Sequence, residues 1–175
     1  MSDRPTPDPG EMPSPGLVAA WVALDTVPSG RIPLCAAHWL VDGHDGASLR
    51  ELAGLGGTEI HEIRDILPAA LADCGTAVPD SAAAAAQVAF TDLARMHADG
   101  RASELWVLNK VYEIILRSDY DGGVVELPLG RIADLADEWE AGWGRPRDQL
   151  EREIQQACRA QLASASARRT SGGSC

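Results

Sequence analysis

Glu104 to Arg117, ELWVLNKVYEIILR, constrains this chain more than any other stretch. It carries Leu105, Val107, Leu108, Val111, Tyr112, Ile114, Ile115 and Leu116 within one short run. At about 100° per residue these cover roughly 200° of a helix surface. A helix that apolar needs neighbours on most of its circumference, so it belongs at the centre of a helical assembly. The narrow remaining stripe holds Asn109, Lys110, Glu113 and Arg117, with Trp106 among them.

The flanking sequence supplies the neighbours. Residues 1–15 contain five prolines and read as a disordered leader. Helical patterns follow at 17–27, at 31–41 with Pro33 in the first turn, and at 47–55. Another begins after Thr58, which should cap it, and contains Pro68, which should kink or divide it. Gly75 to Pro79 separates two halves. A long helix then runs from Asp80 or Ser81 to about His97, rich in alanine and so open to close approach. It turns at Asp99-Gly100 into the central helix, and so short a turn implies antiparallel packing. Residues 124–127 could form a short extended segment. Further helices are expected over 131–142 and from Arg147 to about Leu162. The expectation is an all-α fold, an irregular bundle of about seven helices in two packed halves. The boundaries are a leader at 1–15, halves at 16–76 and 77–163, and a disordered tail at 164–175.

Charge narrows the functions. The 175 residues carry 15 basic and 26 acidic side chains, a net charge of −11. Phosphate would be repelled unless a basic patch were segregated. Residues 1–79 hold four arginines against eleven acids, and 80–145 hold six basic groups against twelve. Only 146–175 turn positive, with five arginines against three acids and no aromatic residue among them. Nucleic acid is therefore an unfavoured partner, whereas a basic protein is an electrostatically suitable one. The first residues form no signal peptide, and no apolar run is long enough for a membrane span, so a cytoplasmic location is expected. The four cysteines, Cys35, Cys74, Cys158 and Cys175, match no zinc or disulfide framework; the first three sit in or near apolar helix faces and read as small core residues.

Several chemistries find partial signals in the residues. Residues 47–67, ASLRELAGLGGTEIHEIRDIL, have helix-turn-helix spacing, but the second helix offers Glu59, Glu62 and Asp65 against Arg64 and His61. Cys35, His38, His44 and His61 could converge on a metal only across several elements, and none of their spacings is a usual zinc pair. Asp119-Tyr120-Asp121-Gly122-Gly123 fails the calcium-loop pattern, since Gly123 and Val124 fall at its fifth and sixth positions. No nucleophile elbow, phosphate loop or zinc-protease signature occurs. No catalytic residue, metal or cofactor is assigned; a small enzyme would have to assemble a pocket from His38, His44 or His61.

The remaining signal is aromatic side chains among charges. Trp106 lies on the polar stripe with Lys110, Glu113 and Arg117, and Trp139 and Trp143 lie one turn apart beside an acidic face that includes Asp134 and Glu138. The plain alternative is that a neighbouring helix covers Trp106. In size, acidity and absence of motif the chain resembles bacterial accessory and inhibitor proteins, toxin-immunity proteins among them. That resemblance touches no motif and transfers no residue. The sequence thus points to a cytoplasmic, acidic protein–protein interaction module, with contacts expected at Trp106, Lys110, Glu113, Arg117, Asp134, Glu138 and Trp143. A regulator using residues 47–67 is the alternative, then a small enzyme.

Overall fold

The computed structural model describes residues 12–172. Among them the structure is all-α, with nine α-helices and no strand. The chain divides between Ser81 and Ala82 into two compact units.

The first unit holds α1 (Pro15–Ala23), α2 (Ile32–Val41), α3 (Ala47–Ala53) and α4 (Ile60–Asp73). Ser14 caps α1 by accepting from the Leu17 amide, and Pro15 sits at its start, where a missing N–H costs nothing. The core gathers Val18, Ile32, Cys35, Trp39, Leu49, Leu52, Ile63, Leu67 and Leu71. Each such aliphatic side chain is worth about 1.5–3 kcal/mol of burial. Trp39 is buried and satisfies its indole N–H on the Pro13 carbonyl at 2.9 Å. Residues 12–15 therefore belong to the folded unit rather than to a disordered leader; the rest of that expected leader, 1–11, lies outside the described residues.

The α3–α4 pair is closed at both ends. A short turn joins Ala53 to Ile60, and at the other end Asp73 accepts from the Leu49 amide at 3.0 Å, capping α3 from the end of α4. A side chain at Gly46 would collide with Asp73, so glycine is required there. The turn itself lies against the first turn of the preceding loop, where a Cβ on Gly57 would stand 2.7 Å from the Gly30 carbonyl.

Several expectations change. Thr58 does not cap α4; Glu59 holds the cap position and its carboxylate accepts from the Gly56 amide at 2.6 Å. Pro68 does not divide α4. It stands exposed on the helix. Leu34, His38 and Ile60 are exposed although they fall within apolar helical patterns, and Val41 is 86% exposed at the end of α2.

The second unit holds α5 (Ala82–Ala98), α6 (Glu104–Arg117), α7 (Gly122–Val125), α8 (Leu135–Ala141) and α9 (Arg147–Ser171). The alanine-rich α5 lies along α9, burying Ala85, Ala86, Ala89, Phe90, Leu93 and Ala94, while Val88 is exposed. The central α6 has the bounds read from its sequence and packs on α5, α8 and α9. It buries Val107, Leu108, Val111, Ile114 and Ile115, leaves Tyr112 half-buried, and exposes Leu105 and Leu116. The buried arc is thus narrower than the apolar arc.

The expected extended segment at 124–127 is instead the single turn α7, whose Asp121 cap accepts from the Val124 amide at 3.2 Å. The helix expected over 131–142 begins as a 3-10 turn at Gly130–Ile132 and becomes α8 only at Leu135. A Cβ at Gly130 would collide with the Val124 carbonyl oxygen and stand 2.7 Å from that of Val125, so no side chain fits there. Helix α9 runs to Ser171 rather than about Leu162, though its last buried residue is Gln161. Residues 173–175 of the expected tail lie outside the described residues.

Gln161 forms a buried polar tie. Its carbonyl oxygen accepts from the Leu129 amide at 3.3 Å and its amide donates to Thr91 Oγ1 at 3.3 Å, joining α9, α5 and the loop before α8. Thr91 in turn donates to the Gln87 carbonyl at 2.6 Å. Such a group is tolerated in a core only when hydrogen-bonded.

Candidate functional site: the outer face of α6 and the α8–α9 corner

Ser103 caps α6 by accepting from the Trp106 amide at 3.3 Å, and Glu104 and Arg117 sit at the dipole ends that favour their charges. With the buried seam inward, Trp106, Lys110 and Glu113 share the outer stripe. The Lys110 ammonium lies 5.9 Å from the Trp106 ring centroid and 3.0 Å from Glu113 Oε2. Trp106 is half-buried, intermediate between the two outcomes its sequence allowed. Arg117 is exposed one turn beyond Glu113.

The other predicted residues cluster on and after α8. Asp134 is exposed at the start of that helix. Glu138 does not stand in an open acidic face. Arg145 grips it in fork geometry, Nε donating to Oε2 at 3.1 Å and a terminal nitrogen to Oε1 at 2.6 Å. The other terminal nitrogen of Arg145 donates to Glu153 on α9. Bidentate pairing of this kind fixes orientation as well as charge. Hydrogen bonding to Arg145 holds the Glu138 carboxyl below its ordinary range, and the same contact raises the Arg145 pKa. Next along the chain, the Arg147 guanidinium sits 4.5 Å from the Trp139 ring centroid.

These contacts tie the α8–α9 corner to both helices. Gly142 (φ 65°) and Gly144 (φ 100°) supply left-handed conformations that most residues resist. Between them Trp143 projects outward, 75% exposed. The sequence missed Arg145, Arg147 and Glu153 as the frame of this corner. A guanidinium between Gly144 and Pro146, following an acidic helix, was the available signal.

A second polar group joins three helices. His97 on α5 lies 3.2 Å from Glu104 Oε1, and Gln155 on α9 donates to that oxygen at 2.8 Å. The Gln155 hydrogen bond, with smaller help from His97, holds the Glu104 carboxyl below its ordinary range. Cys158, one turn after Gln155, is buried, and its pKa is pushed up to about 11 by burial and by the Glu104 charge. A thiol so shifted stays protonated near neutrality and is a poor nucleophile. Cys35 is likewise buried with its thiol pushed up by burial, and Cys74 is half-buried with its thiol raised for the same reason.

The alternatives fare unevenly. Residues 47–67 form α3, a short turn and the first part of α4, and Asp73 at the end of α4 caps α3. Arg64 approaches Ser29 Oγ at 3.5 Å, while Glu62, Asp65 and His61 are exposed beside it. Cys35 is buried whereas His38 and His61 are exposed and His44 half-buried. Among the described residues no three His, Cys, Asp or Glu side chains are grouped to hold a metal. Among them, too, no helix is long and apolar enough to cross a membrane. The chain matches no family model, no curated protein and no solved structure.

Proposed function

We propose that this chain is a cytoplasmic protein–protein interaction module, accessory or inhibitory in kind, that binds a basic protein partner. The observation that carries the reading is Trp143: a large aromatic side chain, mostly in solvent, on a corner pinned by Arg145. Tryptophan so placed is a strong anchor when a partner covers it, and a rigid mount lowers the entropy lost on binding. The outer stripe of Trp106, Lys110, Glu113 and Arg117 supplies mixed polar and aromatic contacts, and Asp134 adds to an acidic surround. The net charge of −11 favours encounter with a basic surface. Nucleic acid is not proposed, because the same charge repels phosphate.

The contribution of Glu138 is revised within this reading. It acts as a strut for the corner, so reversing its charge would disturb Trp143 as well as any acidic contact. The cleaner test pairs Trp143→Ala with Asp134→Lys, neither of which removes an ion pair found among the described residues. Partner capture should fall at least tenfold for Trp143→Ala and become less salt-sensitive for Asp134→Lys. Equal capture by wild type and both variants would remove the reading.

A further inference from the structure

Helix α9 changes character at Gln161. Up to that point it buries Leu150, Ile154, Cys158 and Gln161. Over 162–171 no side chain is buried, and Ser166 through Ser171 are all exposed. Within this unsupported end two arginines stand directly before two hydroxyls: Arg168, Arg169, Thr170, Ser171. Thr170 Oγ1 donates to the Ala167 carbonyl at 2.8 Å, and Ser171 Oγ donates to the same carbonyl at 3.2 Å. Both bonds lie within the last turns of the helix, so fraying of that end releases them and no packing is lost with them. The hydroxyls are thus on the surface, on backbone that can leave the helix at little cost.

The two arginines are unmatched. Elsewhere on α9 and its corner each guanidinium has a contact: Arg145 with Glu138 and Glu153, Arg147 on the Trp139 ring, Arg152 with Asp148 at 2.8 Å, and Arg159 with the Gln155 carbonyl at 3.4 Å. Among the described residues Arg168 and Arg169 form no ion pair, although the chain carries 26 acidic side chains. The negative end of the helix dipole suits basic residues there. It gives no reason for the threonine and serine that follow, which are weak helix formers. With this end extended, Arg168 and Arg169 stand three and two residues before Ser171, within about 10 Å of it along the chain. That sets two forks for carboxylates upstream of one nucleophilic oxygen. Thr170 lacks this arrangement, since Ala167 stands three residues before it.

We propose that Ser171 is a phosphorylation site for an arginine-directed serine/threonine protein kinase, whose acidic pockets hold Arg168 and Arg169. In the transfer a bond forms between Ser171 Oγ and the γ-phosphorus of ATP as the bond from that phosphorus to the β,γ-bridging oxygen breaks. ADP leaves, and the hydroxyl proton passes to the kinase's base. The phosphate adds about −1.5 to −2 charge at neutral pH. It brings residues 146–175, with five arginines against three acids, close to neutral. It also stands at the end of α9 where the helix dipole disfavours an anion, so the modified end unwinds further. The site stands apart from the interaction reading, because it needs only this exposed end.

The test begins with the full chain isolated from its native cells in the presence of phosphatase inhibitors. Tandem mass spectrometry should place a phosphate on Ser171. In parallel, recombinant full chain is treated with ATP and the catalytic subunit of cyclic-AMP-dependent protein kinase, used as an arginine-directed probe. Phosphate should enter at Ser171; Ser171→Ala should abolish the transfer and Thr170→Ala should leave it. Arg168→Ala should lower kcat/KM by about tenfold or more, the loss of one charge-assisted contact. Each variant should keep the wild-type melting temperature, since no side chain over 162–171 is buried, so loss of transfer is separable from loss of fold. No phosphate on the native chain, transfer that survives Ser171→Ala, or transfer indifferent to Arg168→Ala would overturn the proposal. None of these results bears on Trp143-dependent capture, which is measured separately.

Discussion

Single residues decide more here than their types suggest. Gly130 admits no side chain because the carbonyls of Val124 and Val125 occupy the space, and these are backbone atoms that cannot swing away. Gly130→Ala should therefore cost about 3 kcal/mol or more, as other overpacked sites do. A urea titration showing less than about 0.5 kcal/mol would contradict the contact. Gln161→Ala should cost about 2–3 kcal/mol, because it strands the buried Leu129 amide and leaves a void. The same urea titration decides it. Neither effect was legible in the sequence. Nothing in the residue types around Gly130 marks it as crowded, and Gln161 is a polar residue near the expected end of the last helix. What fixes both is a non-local contact, from a carbonyl in one case and an amide in the other. Trp143 was legible as an aromatic beside acids. The pairing of Glu138 was not legible, since the sequence shows that it is acidic but not that Arg145 folds back onto it.

At the scale of elements, α6 was the most legible, because its period, its Ser103 cap and its charged ends all agree. The single turn α7 was not: Val124-Val125 has strand propensity, and the Asp121 cap together with its packing on α5 overrides it. The end of α9 was hidden for a different reason. Beyond Gln161 no side chain is buried, so no hydrophobic period marks the helix, and local alanine-rich propensity carries it to Ser171. Amides of 163–171 should accordingly exchange with solvent faster than those of 148–161, and removing residues 166–175 should leave the melting temperature nearly unchanged. Protection of that end equal to the helix centre would show an unrecognised contact. The α8–α9 corner depends on Arg145 in the same element-level sense. Arg145→Met should speed amide exchange over 142–146 while leaving the α6 amides protected, and unchanged exchange would remove its role as the pin for Trp143.

For the whole molecule, charge governs the response to pH and salt. Glu104, Glu138 and Asp45 all have folded pKa values below their ordinary ones, through Gln155, Arg145 and Arg50 respectively. A carboxyl with a depressed folded pKa stabilises the fold fully above its unfolded value, and the contribution is lost as pH falls through the folded value. Stability should therefore decline below about pH 4.5. Glu104→Gln should make that decline shallower, and an unchanged acid limb would show that Glu104 contributes nothing to it. The all-α class was open to reading from periodicity. The outward-facing chemistry was only partly so, because which acids are paired depends on how helices distant in sequence meet.

The central claim is that an acidic, tryptophan-anchored surface binds a basic protein. The most direct measurement is quantitative capture from native extract by wild type, Trp143→Ala and Asp134→Lys, each at low and high salt, with mass spectrometry of the eluate. The account predicts one stoichiometric basic partner, released by salt, reduced at least tenfold by Trp143→Ala and less salt-sensitive with Asp134→Lys. Capture that ignores both substitutions, or no protein partner at either salt, would contradict it.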